Sequence, residues 1–245
     1  MKKTVMALTA IMLMMVVAVS CTKPDEPNNG GNNGQNDSIV DHSGTFNGHD
    51  YVDLGLPSGT LWATCNVGAT TPEGYGDYFA WGEIETKEVY NWETYKYCNG
   101  GYNQLTRYCP YADYGYKGMV HDRTVLYDMD DAALSEWGTG WRMPTRDEME
   151  ELLYYCTSWG WKEQNGVGGL LFEAPNGNSL FFPAAGYVDE AEMVNAGANG
   201  CYWSRSLGGD TPDKAGNMYF VAHSMSFGHA FRNLGLTIRP VRSLE

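Results

Sequence analysis

The side chains that could do chemistry here are carboxylates, histidines, a serine and cysteines, and their spacing limits what that chemistry could be. "GTGWRMPTRDEMEELL", residues 138–153, carries Asp147, Glu148, Glu150 and Glu151 in one short run. A positioned carboxylate can act as a general acid or base. Thr145 and Glu148, however, stand in the order T-x-x-E. That is a capping box, in which each side chain satisfies a free backbone N–H at the other's position. Proton transfer by Glu148 would compete with that role. Asp147, Glu148 and Glu150 also suit the positive end of a helix dipole. Thr145 and Glu148 are therefore expected to be structural, and no catalytic residue is expected.

Asp128, Asp130 and Asp131 offer the oxygen ligands a hard cation takes. They equally suit a helix start, with Asp130 expected to cap "DAALSEW", which stops at Gly138. His223 and His229 share strand parity, but no third ligand accompanies them. Ser204 has no evident base, and the chain has no G-x-S-x-G elbow. No CxxC pair or Cys/His cluster gives a zinc signature. No metal and no cofactor are expected.

Six cysteines are present. Cys98 and Cys109 flank "NGGYNQLTRY", and each follows a tyrosine. A disulfide between them would close a short loop and stabilise by on the order of 3 kcal/mol. The alternative is a pair of reduced, buried thiols. Cys65, Cys156 and Cys201 have no evident partner assignment.

Few helices are expected to position these groups. After the capping box, Met149, Leu152, Leu153 and Cys156 fall at i, i+3, i+4 and i+7, which makes one apolar face. The rest reads as short strands between turn residues. "YVDLGL" and "TLWATCNV" flank "PSG" as a hairpin. "GLLFEA" and "SLFFPA" flank "PNGN", where Asn-Gly is a strong hairpin signal. "GDYFAWGE" is a strand or a packed loop. "CYWSRS", "NMYFVAHSMSF" and "LTIRPVRS" complete the strands. Trp62, Trp81, Trp137, Trp141 and Trp203 are expected in the core.

The amino terminus has a different logic. Lys2 and Lys3 precede an apolar run from Val5 to Val19, which makes residues 1–20 a secretory signal too short for a comfortable membrane span. "AVSC" resembles the cleavage region of a bacterial lipoprotein signal, with Cys21 as the acylated residue. Several acyl chains at about 0.8 kcal/mol per buried CH₂ give a stable anchor. Lys23, Asp25 and Glu26 resemble the export signal of Bacteroidota surface lipoproteins. Residues 21–47, rich in Asn and Gly, read as a flexible tether. Within it, "DSI" resembles the Bacteroidota O-glycosylation sequon, with Ser38 as acceptor. Residues 48–245 read as one domain.

The chain has 16 basic and 30 acidic residues, a net charge of −14. Without residues 1–20, which carry two lysines and no acid, the net is −16. Neutralising nucleic-acid phosphates needs clustered Lys and Arg, so no nucleic-acid partner is expected.

"YVDLGLPSGTLWATCNVGA", "GDYFAWGE", "DDAALSEWGTGWRMPTRDEMEEL", "LFFPAAGY", "GCYWSRS" and "GLTIRPVR" together resemble the Fibrobacter succinogenes major paralogous domain. The resemblance runs over residues 48–243. More distantly, that family resembles the C-type lectin-like fold of formylglycine-generating enzymes. It implies an α+β domain with a twisted antiparallel sheet, two helices and long ordered loops. Formylglycine-generating enzymes use two nearby late cysteines, whereas only Cys201 lies in the last third here. Calcium-dependent lectins use Glu-Pro-Asn-like and Trp-Asn-Asp-like loops. "EAPN" approaches the first with an extra alanine, and the second is absent.

The expectation is a non-catalytic outer-membrane lipoprotein, anchored through lipid and facing the cell exterior. Its domain would bind or adhere to a glycan or protein. The alternatives are a structural subunit of a surface assembly and an enzyme related to formylglycine-generating enzymes.

Overall fold

Asn-Gly pairs and a proline turn set up most of the hairpins. The computed structural model describes residues 41–244. In chain order these form β1 (Gly44–Phe46), β2 (His49–Asp53), β3 (Thr60–Ala63), α1 (Ala132–Trp137), α2 (Arg146–Tyr155), β4 (Ser158–Gln164), β5 (Val167–Glu173), β6 (Ser179–Pro183), β7 (Tyr187–Asp189), β8 (Glu192–Val194), β9 (Asn199–Leu207), β10 (Lys214–Val221), β11 (Ser224–Phe231) and β12 (Val241–Ser243). The described residues are mostly antiparallel β with two helices, an α+β arrangement.

The "PSG" and "PNGN" hairpins form as expected, pairing β2 with β3 and β5 with β6. Two further Asn-Gly turns were not foreseen. Asn47 and Gly48 (φ 50 and 81) turn β1 into β2, and Asn165 and Gly166 (φ 49 and 82) turn β4 into β5. Positive φ at both central residues is the backbone that a two-residue hairpin requires. The first pair moves the start of the folded domain. The tether was expected to run to residue 47, yet Gly44–Phe46 already pair with β2. "NMYFVAHSMSF" is not one strand either. It folds back at Ala222–His223 into the β10–β11 hairpin.

Both helices are short and carry strong caps. Asp131, not Asp130, caps α1: its side chain accepts from the Leu134 N–H at 3.2 Å and from the Met143 N–H at 3.0 Å. Gly138, at φ 84, ends that helix in a conformation that L side chains rarely adopt. Thr145 caps α2, and the reciprocal capping box with Glu148 is complete.

The four-stranded sheet runs β1-β2-β3-β12, so the last strand returns to pair with β3. The approach to β12 draws on distant segments: Leu236 pairs with Phe79, Thr237 with Tyr202, and Val241 with Arg142. Trp62, Phe172, Phe182 and Tyr202 lie in one core cluster with Met149 and Leu152 of α2. Trp81, Trp137, Trp141 and Trp203 lie in a second, so all five expected core tryptophans are buried. "GDYFAWGE" is a packed loop, tied down by the Phe79–Leu236 bridge.

Candidate binding surface

Residues 64–131, between β3 and α1, contain no strand of their own. Isolated pairings fold this long connection onto itself: Cys98 with Leu105, Leu105 with Gly115, and Cys109 with His121. Beneath them, Tyr90, Tyr95, Tyr97, Leu105 and Cys109 form a small core of their own. A loop this long needs such a core to be ordered at all.

Two polar knots rivet that core. The first is Arg232, just after β11, fully buried at 0% exposure. No carboxylate pairs with it among the described residues. It donates instead to the Tyr95 hydroxyl at 2.8 Å and to the carbonyls of Tyr108 (3.1 Å), Pro212 (2.9 Å) and Arg107 (3.1 Å). The rings of Trp81 and Tyr95 lie 4.9 and 5.2 Å from its guanidinium carbon. A delocalised, weakly hydrated guanidinium is the cation best suited to such an aromatic site.

The second knot is Asp130, 2% exposed. It accepts from the Tyr97 hydroxyl at 2.5 Å, from the Tyr108 hydroxyl, and from Arg107 at 3.0 Å. Desolvation first, then the hydrogen bond to Asp130, pushes the phenols of Tyr97 and Tyr108 well above their ordinary range. They therefore stay protonated as donors. Asp130, expected as a helix cap, is instead the acceptor that closes this loop. Asp131 lies 3.8 Å from Arg205, and Asp128 pairs with Arg205 at 3.2 Å. Asp130 thus faces Arg107 and two tyrosines, whereas Asp128 and Asp131 share Arg205.

The outer surface of the same connection carries several exposed large apolar side chains. Of the exposed large apolar side chains, Tyr102, Tyr111, Met119, Val120, Tyr127 and Met129 fall within residues 102–129. The remainder are scattered over the rest of the domain. Exposed aromatics clustered on a rigid support are what a binding surface offers, whereas isolated ones carry no meaning. The Tyr102 ring lies against Tyr114 at 6.5 Å, with exposed Asn99 and Asn103 nearby in sequence. Tyr127 carries the Arg123 guanidinium at 3.8 Å and faces Arg107 at 5.0 Å and the His121 ring at 5.9 Å.

The residues singled out from sequence fall elsewhere. Glu148 is buried beneath the start of α2, where it accepts from both Arg142 terminal nitrogens (2.7 and 2.5 Å), the Thr145 N–H (2.8 Å) and the Thr60 hydroxyl (2.7 Å). Burial alone would raise its pKa. The hydrogen bonds and charge of Arg142, with those of Thr145 and Thr60, outweigh burial and take it down to about 2. Such a carboxylate stays ionised at neutral pH and cannot donate a proton as a general acid.

The expected Cys98–Cys109 disulfide is not formed; both thiols are free. Cys98 Sγ donates to the Trp92 carbonyl at 2.9 Å and Cys109 Sγ to the Tyr111 carbonyl at 3.1 Å. The two backbones pair with different partners, Leu105 and His121, and not with each other. Burial raises both thiols, and takes Cys156 to about 11 and Cys201 to about 12. His223 sits in the β10–β11 turn and His229 within β11, so shared strand parity does not apply. Ser204 is buried and donates to the Gly216 carbonyl at 2.9 Å. Asn176 of "EAPN" donates to the Asp53 carbonyl at 2.8 Å, which ties the β5–β6 turn to β2. Cys21, Lys23, Asp25, Glu26 and Ser38 lie outside the described residues.

A shallow cavity of about 260 Å³ opens beside β11, lined by Gly209, Asp210, Thr211, Lys214 and His229. His229 Nε2 accepts from the Gly209 N–H at 3.0 Å and lies 3.0 Å from Arg146. Desolvation, then the charge of Arg146, holds its pKa below the ordinary histidine value.

The aromatic surface had a legible signal, the concentration of tyrosine between residues 95 and 127, but nothing in the sequence told its buried tyrosines from its exposed ones. No protein-family model, no curated protein and no solved structure matches the chain.

Proposed function

We propose that the chain is an outer-membrane lipoprotein that displays a non-catalytic, C-type lectin-like binding domain at the cell exterior, with a glycan or protein as partner. The observation that carries the binding role is the concentration of exposed Tyr102, Tyr111, Met119, Val120, Tyr127 and Met129 along one riveted connection. Rigid aromatic anchors lose little conformational entropy when they bind. The antiparallel sheet closed by the last strand, the two helices and the long ordered connection favour the lectin-like fold. The lipoprotein assignment rests on "AVSC" at Cys21, and the outward display on Lys23, Asp25 and Glu26 after it. Ser38 remains the proposed glycan acceptor in the tether.

Two further observations weigh on the alternatives. Cys201, raised to about 12 by burial, is no thiolate nucleophile, which tells against a cysteine oxidase. Among the described residues β11 is the outer strand of its sheet, with Arg146 donating to its Phe227 carbonyl, and such an edge strand favours a structural subunit that adds strands from a neighbour.

The test is an array of glycans and cell-surface proteins probed with the full-length chain in mild detergent. The expected result is retained binding by the wild type and its loss in Tyr102→Ala/Tyr111→Ala, with folding intact. Wild-type binding to nothing on the array, or equal binding by the double variant, would overturn the assignment of this surface.

A further inference from the structure

Arg123 differs from the other arginines of this surface. Arg107 is neutralised by Asp130 at 3.0 Å, and Arg205 by Asp128 at 3.2 Å. Arg123 is exposed, and among the described residues no carboxylate lies within ion-pair distance of it. This is in a chain with 30 acidic residues against 16 basic ones. An exposed arginine ordinarily moves freely, yet this one is held on three sides. Nε donates to the Val125 carbonyl at 2.7 Å, Nη2 donates to the Leu126 carbonyl at 3.4 Å, and the guanidinium carbon sits 3.8 Å from the Tyr127 ring centre.

The support is itself fixed. Val125 pairs with Ser206 of β9, the Leu126 N–H donates to the Arg205 carbonyl at 3.0 Å, and the Tyr127 N–H donates to the Tyr108 hydroxyl at 2.9 Å. The remaining guanidinium N–H groups therefore form a fork whose direction is set before any ligand arrives. A fork of parallel N–H donors matches a carboxylate bidentately. The His121 ring also packs against Tyr127, at 5.9 Å, and its Nδ1 accepts from the Tyr108 N–H at 2.8 Å, which places the ring's donor on Nε2.

The surroundings limit the anion. Asp122 and Asp128 are exposed and adjacent in sequence to Arg123 and Tyr127. They oppose a ligand that carries several negative charges, such as a nucleic acid or an acidic protein, as does the net charge of the chain. They suit a ligand with one carboxylate and several hydroxyls, because hydroxyls donate to aspartate while the carboxylate meets the fork. The exposed apolar side chains of Val120 and Met129, close in sequence to Arg123, offer contact for a sugar's C–H face, while the Tyr127 ring is taken up by Arg123.

We propose that Arg123, oriented by Tyr127, is a carboxylate-reading subsite, and that its ligand is a singly charged acidic sugar. This rests on residues 102–129 being a glycan-binding surface, and names the sugar class that surface selects.

The test is an NMR titration of the full-length chain in neutral detergent with methyl β-glucuronide, methyl α-sialoside and methyl β-glucoside. The expected result is that one of the two acids binds at least tenfold more tightly than the glucoside, with the preference weakening as salt is added. Whether the glucuronide or the sialoside binds identifies the source of the carboxylate. Arg123→Gln abolishes the tenfold preference. Arg123→Lys keeps the charge without the fork and loses most of it. Tyr127→Phe keeps the ring and retains the preference, whereas Tyr127→Ala reduces it. Binding of neither acid, equal binding of acids and glucoside, or an unchanged preference in Arg123→Gln overturns the proposal. Neutral glycans that bind through Tyr102 and Tyr111 without any preference for acids also overturn it, and leave the broader binding role standing.

Discussion

The Arg232 guanidinium donates to the Tyr95 hydroxyl at 2.8 Å, across 137 residues of chain, with both side chains buried. Arg232 thus fastens the end of β11 to the connection that carries the exposed tyrosines. Its substitution by Leu leaves several buried acceptors without a donor, each worth about 1–3 kcal/mol. Arg232→Leu is expected to lower stability by more than about 3 kcal/mol in urea unfolding, with early proteolysis between residues 99 and 121. An unchanged midpoint would show that the connection is ordered without this rivet.

The buried carboxylate of Glu148 makes acid stability a second test. Its pKa is depressed to about 2, so its contribution is complete above the ordinary value of 4.5 and is lost as pH falls through about 2. Glu148→Gln removes the titrating group while leaving an amide in the capping box. The loss of stability between pH 4.5 and 2 is expected to be shallower in the variant, measured by denaturant unfolding at each pH. At neutral pH the variant is expected to be less stable by roughly 1–3 kcal/mol, because the charged hydrogen bonds to Arg142 are gone. Identical acid profiles would count against the ion pair.

Helix α2 separates cap from core. Thr145→Ala is expected to cost about 1 kcal/mol through the lost N-cap. Leu152, at 0% exposure, is expected to cost about 2–5 kcal/mol when cut to Ala. Leu153 is only half-buried, so Leu153→Ala is expected to cost clearly less than Leu152→Ala. Equal losses at the two leucines would contradict the orientation of the helix.

Cys98 and Cys109 are expected to react with an alkylating reagent in denaturant without reductant, since both are free thiols. In the native state both are expected to react slowly, because burial raises their pKa and depletes the thiolate. A mass lower by two hydrogens, with both sites protected, would indicate a disulfide instead.

Cys21 tests the proposed anchor. Cys21→Ala is expected to release the chain from membranes or to trap its precursor, read by fractionation and intact mass. A fully processed variant that still sediments with membranes would sink the lipoprotein assignment.

Local signals in the sequence were readable where one chemical reason dominated. The capping box at Thr145 and Glu148, the "PSG" and "PNGN" turns and the five buried tryptophans follow from spacing and residue type. Strand β4 escaped because its alternation is weak, although Asn165-Gly166 marked its turn as plainly as Asn176-Gly177 marked the next. The cap of α1 was misplaced by one residue: Asp130 and Asp131 are equally good caps in sequence, and only the distant Tyr97, Tyr108 and Arg107 decide which one turns away. The Cys98–Cys109 pairing is not formed for a similar reason, since spacing along the chain does not aim the thiols, and each donates to a different carbonyl. The binding surface was the least legible part. Tyr97 and Tyr102 look alike in sequence, and the difference between buried rivet and exposed anchor is made by partners far along the chain.

The closing segment gives the molecule a timetable. Residues 236–243 supply partners to Phe79, Tyr202, Arg142 and β3, which lie in widely separated parts of the chain. Those particular pairings cannot form until residues 236–243 are present, although β3 also pairs with β2 and Tyr202 with Met218. Such non-local closure makes folding slow and late. The local hairpins can form as they are made, but the segments around Phe79, Arg142 and Tyr202 are drawn onto β3 only when residues 236–243 dock, so the last step of folding joins parts that are already shaped.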